Sequence, residues 1–135
     1  MNTFSVEKGS GALTVEAQVI LPGDSIVAVF GGGDVPHVGA VAVAFPRPSL
    51  KNDGTISASA SVICGIGHKE DEIAKKTALR LAAQFNTTAV VSVGLHINDP
   101  KPGDFTGILE NFEASLEEIL AWLRERTSAG KLPIH

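Results

Sequence analysis

The sequence predicts an α+β fold: an antiparallel six-stranded sheet, built in the order β-β-β-β-β-α-β-α, with two helices on one face. Three observations predict it. Five short segments in the first half alternate or run apolar, with glycine, proline or aspartate between them; two later stretches switch to a helical period; and a further apolar run separates those two. At 135 residues, 44% hydrophobic and 19% charged, the chain reads as one domain, residues 1–135, with its own core.

The first strand runs from Thr3 to Lys8 and the second from Ala12 to Leu21, with Gly9-Ser10-Gly11 as the hairpin turn between them. In the second strand Leu13, Val15, Ala17 and Val19 oppose Thr14, Glu16 and Gln18, the pattern of a half-buried antiparallel strand. Pro22-Gly23-Asp24 turns the chain into a third strand, Ser25 to Phe30, apolar on both faces. Val38 to Phe45 is the fourth, and a polar loop, Pro46 to Gly54, returns the chain to a fifth from Thr55 to Cys64. Short turns between all five imply a meander in which sequence neighbours are also spatial neighbours.

From Lys69 to Phe85 the period becomes helical, with Ile73, Thr77, Ala78, Leu81, Ala82 and Phe85 on one face. Glu70, Asp71 and Glu72 fall in its first turn, where they suit the helix dipole, and Asn86 is a left-handed stop. Thr88 to Ile97 is the sixth strand. The second helix, Gly107 to Arg126, carries the stripe Ile108, Phe112, Leu116, Ile119, Leu120 and Leu123.

Two helices cover one face only, yet Val27, Val29, Ala40, Ala42 and Ala44 leave several strands apolar on both. An exposed apolar patch of about 400 Å² at about 25 cal/mol per Å² represents about 10 kcal/mol, comparable with the stability of a whole domain. Pairing of two sheets removes it, so a homodimer through the open sheet face is expected.

Composition excludes several classes. The single cysteine, Cys64, forms no internal bridge and fits a reducing compartment. The opening MNTFSVEKGS has no basic or apolar signal, and the apolar run Val38 to Phe45 falls short of the roughly 20 residues that span a bilayer, so a cytoplasmic protein without membrane is expected. A net charge of −4 with 11 scattered basic residues argues against nucleic acid.

Two stretches carry candidate chemistry. Gly31, Gly32 and Gly33 at a strand end are suited to close approach of a ligand, or to a nest of N–H groups for an anion, and Asp34 and His37 follow within reach of a polar ligand or of each other. The same residues also read as an ordinary turn. Gly65-Ile66-Gly67-His68-Lys69 precedes a helix, where free N–H groups and the Lys69 charge suit a phosphate, although Glu70, Asp71 and Glu72 oppose an anion. Neither is a dinucleotide fingerprint or a P-loop: Pro36 replaces the last glycine of the one, and Glu70 the hydroxyl residue of the other. Cys64 beside His68 allows a nucleophile and base, but a small buried hydrophobe explains the cysteine better. His37, His68 and His96 lack metal-ligand spacing, and His96 reads as a wall residue. Ser57, Ser59 and Ser61 form a polar row, either a cleft lining or a solvated edge.

The stretches GGGDVPHVGAVAVA (Gly31 to Ala44) and GIGHKEDEIAKKTA (Gly65 to Ala78) resemble the small LpdD-type proteins associated with gallate decarboxylase, the prenylated-flavin chaperones. The resemblance extends over almost the whole chain. It implies a small dimeric protein similar in fold to proteasome assembly chaperones. It further implies a protein that binds reduced prenylated FMN and assists its loading into a UbiD-type decarboxylase, with no turnover of its own. Under this resemblance the cofactor-binding residues are Gly31, Gly32, Gly33, Asp34, His37, Gly67, His68 and Lys69, with no catalytic residue and no metal. A chain without tyrosine and with one tryptophan offers few stacking partners, so Phe30, Phe45 or a partner subunit would form the apolar wall. Two other classes stay open: an accessory enzyme subunit in which Asp34, His37 and His68 act on an aromatic acid, and a protein-assembly chaperone without a small ligand.

Overall fold

A computed structural model describes residues 1–65 and 70–128 of the chain. Strands β1 (Asn2–Lys8), β2 (Val15–Leu21), β3 (Ile26–Gly33), β4 (Ala40–Pro48) and β5 (Ile56–Cys64) precede helix α1 (Asp71–Phe85); strand β6 (Ala89–His96) and helix α2 (Asp104–Ser128) follow. A short 3-10 turn, Gly11–Leu13, occupies the start of the predicted second strand.

All six strands form one sheet, in the order β1-β2-β3-β6-β4-β5. This corrects the expected meander. β3 and β4 are not neighbours; β6 lies between them, parallel to β3 and antiparallel to β4. The remaining pairs are antiparallel. The physical reason is in the residues: β3, β4 and β6 are the strands apolar on both faces and take the centre, while the alternating β1, β2 and β5 sit outside. β4 also runs three residues further than expected, through Pro46 and Pro48, because beyond the Ala44–Ala89 pair it has outrun β6 and has no neighbour on that side to need an N–H.

Both helices pack on the same face of the sheet. α1 lies on β4, β5 and β6, and α2 on β1, β2 and β3. The α2 stripe Ile108, Phe112, Leu116, Ile119, Leu120 and Leu123 is buried against Val15, Val19, Ile26, Ala28, Phe30, Val91 and Val93, and of the α1 stripe Thr77, Ala78, Leu81, Ala82 and Phe85 are buried while Ile73 is only partly so, Ala74 being the buried residue of that first turn. Phe30 and Phe112 meet at 4.6 Å between ring centroids. Trp122 stacks on Phe4 at 5.4 Å under the Arg126 guanidinium, closing the β1 end of the layer. Asn86 ends α1 in the left-handed conformation, with φ 50°.

The opposite face carries no helix. The register aligns Ile20, Val27, Val90, Val43 and Ser61 in one row across it, and Gln18, Val29, Ser92, Val41 and Ile63 in the next. Val29 is 41% exposed, Phe45 56% and Ile63 80%, so the apolar surplus expected of this face is present.

Candidate functional site

Because β6 separates β3 from β4, the chain between those two strands must cross β6. Residues 34–39 do so on the open face, as a strap over the end of the sheet. Asp34 N–H donates to the His96 carbonyl at 2.7 Å and Gly39 N–H to that of Val93 at 3.0 Å. The crossing point is Gly94, where a methyl group would overlap the His37 carbonyl. At Gly31 a Cβ would stand 3.0 Å from Pro36 Cβ. Both glycines let the strap lie directly on the sheet.

The strap is tied down by His37. Its Nδ1 lies 2.8 Å from the Val35 carbonyl, and its Nε2 lies 3.6 Å from Oε1 of Glu70, at ion-pair distance. A doubly protonated ring donates toward both acceptors. Glu70 caps α1 by position, but its side chain turns away from the helix: Oε1 accepts the Leu95 N–H at 3.2 Å, beyond the last pairing of β4 with β6. A Cβ at Gly39 would stand 2.8 Å from Glu70 Oε2, so that glycine gives the carboxylate its space. Glu70 is 8% exposed.

Between the strap and the first three strands lies an open cleft of about 620 Å³. Val29 and Gly31 form its floor, Pro36, His37 and Val38 one wall, and Ser5, Glu7, Glu16 and Gln18 the other. Glu7 and Glu16 stand directly opposite each other across β1 and β2. Their like charges make that end of the cleft hostile to an anion. Its size is within the about 300–1,000 Å³ of small-molecule sites, and its floor suits a flat apolar ring.

The structure brings together some of the residues expected from the sequence. Gly31 and His37 line the cleft. Gly32 does not: it is buried in β3, where a Cβ would meet the Thr14 carbonyl and Leu95. Gly33, at φ 81°, lies against the His96 backbone and donates its N–H to Thr14 at 2.9 Å. That N–H belongs to strand pairing and not to a nest. Asp34 accepts the Asn98 N–H through Oδ2 at 2.8 Å, whereas His37 meets Val35 and Glu70. Gly67, His68 and Lys69 lie outside the described residues.

Cys64 is exposed at the end of β5, not a buried hydrophobe, because β5 is an edge strand. His96, the last residue of β6, is likewise exposed, with Nε2 3.1 Å from Asn98 Oδ1. Ser57, Ser59 and Ser61 lie on that same edge strand, away from the cleft; Ser59 accepts from Arg47 Nε at 2.9 Å. Among the described residues no cluster of three or more His, Cys, Asp or Glu is arranged to hold a metal, and no helix is long and apolar enough to cross a membrane.

Sequence reasoning missed Glu70 as a partner of His37, and it missed the β1–β2 wall. The first carried a rival explanation in the helix dipole. For the strap, the isolated glycine at position 94 inside an apolar strand was the available signal.

Residues 9–124 match the prenylated flavin chaperone LpdD-like domain. The chain belongs to that family. No curated protein matches it significantly. Among solved structures, a chain of a chaperone complex for yeast 20S proteasome assembly superposes with a TM-score of 0.53, covering 93% of this chain and 98% of that one at 19% identity. At that identity the likeness is one of fold: this LpdD-like chain shares the sheet-and-two-helix architecture of a proteasome assembly chaperone.

Proposed function

We propose that this LpdD-like protein binds reduced prenylated FMN and assists its delivery to a UbiD-type decarboxylase, as a cytoplasmic carrier with no turnover of its own. The observation that carries the reading is the cleft of about 620 Å³ beside the strap, in a chain of the prenylated flavin chaperone family. The apolar floor of Val29 and Gly31 suits the ring system, and His37 offers a polar contact at its wall. The phosphate belongs away from Glu7 and Glu16, since carboxylates repel it. Gly67, His68 and Lys69 are our candidates for it: they directly precede Glu70 in the chain, and Lys69 brings a full positive charge.

Gly31 is thus proposed as a floor residue, and Gly32, Gly33 and Asp34 as the backbone that sets the strap. The protein is proposed to work as a homodimer joined through the open sheet face.

An anaerobic titration of the protein with reduced prenylated FMN, against ordinary FMN, followed by absorbance, tests the carrier reading. Saturable binding of the prenylated form is expected. Failure to bind either flavin removes the carrier reading and leaves protein assembly through the open face.

A further inference from the structure

The cleft has a floor and two walls but no roof, and it opens on the apolar face that a second copy would cover. We infer that the binding site is shared between two copies: the cleft of one is roofed by the sheet of the other, whose Arg47 supplies a positive charge against the acidic wall of Glu7 and Glu16. This rests on the carrier reading above.

The occupant of the face is argued from area and charge. Six strands at about 4.8 Å spacing and about 20 Å long present roughly 600 Å² per copy, so pairing buries roughly 1,200 Å², the lower end of stable interfaces. The two central rows of the face, from Ile20 to Ser61 and from Gln18 to Ile63, contain no charged residue, so an identical surface meets no repulsion there.

The charges lie at opposite corners. Glu7 and Glu16 stand beside Gly31, toward the ends of β3 and β6 at Gly33 and His96. Arg47 pairs with Ser57 beyond the other end of β6, on the far side of the sheet, and bonds to Ser59 on the open face. A two-fold axis lying along the remaining diagonal exchanges these corners and sets the strands of the two sheets at a steep crossing angle. Arg47 of each copy then meets the acidic end of the other's cleft. The strap lies on the face as an extra layer of backbone, so the sheets do not close flush beside it. That keeps the cleft from being filled by the partner's side chains.

Complementation between defective copies tests the sharing. Light scattering of the wild type should give a dimer. Arg47→Ala removes the donated charge, and Gln18→Trp, at an exposed wall residue, fills the cleft; Ser5→Trp is an independent filler. Each variant alone is expected to stay dimeric and to lose at least about tenfold in affinity for reduced prenylated FMN, the charge that offsets Glu7 and Glu16 being lost in one and the space in the other. Refolding Arg47→Ala and Gln18→Trp together should restore wild-type affinity in about one quarter of the sites, because half the dimers are mixed and each mixed dimer holds one intact site.

A wild-type monomer, an Arg47→Ala protein that binds as the wild type does, or a mixture that restores no binding overturns the shared site while leaving the carrier function standing. A wild-type dimer that binds no flavin overturns both.

Discussion

His37 Nε2 faces Oε1 of Glu70 across 3.6 Å, joining the strap between β3 and β4 to the first residue before α1. The same carboxylate accepts the Leu95 N–H, so one side chain holds three segments. Glu70→Ala removes both interactions and should cost about 1–3 kcal/mol in urea unfolding. Glu70→Gln keeps an acceptor for Leu95 and loses only the charge facing His37, so it should cost less. Equal losses in the two variants would show that the charge adds nothing to the latch.

Gly94 is the underpass of the strap. Gly94→Ala places a methyl group on the His37 carbonyl, and overpacking of this kind costs about 1–3 kcal/mol. The strap forms one wall of the cleft, so binding of reduced prenylated FMN should weaken along with stability. Stability and affinity both at wild-type level would mean that the strap does not rest on β6.

The phosphate placement has its own test. Lys69→Ala should lower the affinity for reduced prenylated FMN by about tenfold or less, as loss of one charge-assisted contact does, and should leave the urea midpoint unchanged. The salt dependence of binding should fall at the same time. Binding at wild-type strength in low salt would move the phosphate elsewhere.

In the β4–β5 loop, the Thr55 hydroxyl donates to Asp53 Oδ1 at 2.5 Å and the Thr55 N–H donates to the same oxygen at 3.0 Å. These bonds, the hydroxyl's first, hold the Asp53 carboxyl below the usual aspartate range. A depressed folded value stabilises the loop above the unfolded pKa, and the contribution is lost as pH falls through the folded value. Titration of the Asp53 carboxyl by NMR should therefore show a midpoint that rises toward the ordinary value in Thr55→Val. The site is fully exposed, so the effect belongs to the loop and not to global stability.

Much of the fold could be read from periodicity. The six-residue stripe of α2 is buried without exception. Strand order could not be read in the same way. Alternation reports which face a residue takes, and nothing in it says that β6 enters between β3 and β4. The triple glycine misled for a related reason: glycine marks both tight turns and close approach, and here Gly31, Gly32 and Gly33 end a paired strand. Of the candidate site, His37 and Gly31 were legible as unusual residues. The cleft wall of Ser5, Glu7, Glu16 and Gln18 was not, because exposed polar residues on an outer strand have an ordinary explanation in solvation.

The place of β6 also governs how the chain reaches this structure. Before residues 89–96 arrive, β1–β2–β3 and β4–β5 with α1 are two separate groups of strands, joined in the finished molecule through β6. Each would present an unpaired apolar edge, β3 in one and β4 in the other, and such edges invite pairing with other chains. During synthesis those edges stay open until the sixth strand leaves the ribosome, and the parallel β3–β6 contact then has to close a loop of about sixty residues, a slow step for a chain of this size. A polypeptide ending before Ala89 is accordingly an aggregation hazard, and the nascent protein spends its most vulnerable interval waiting for the strand that locks its two halves together.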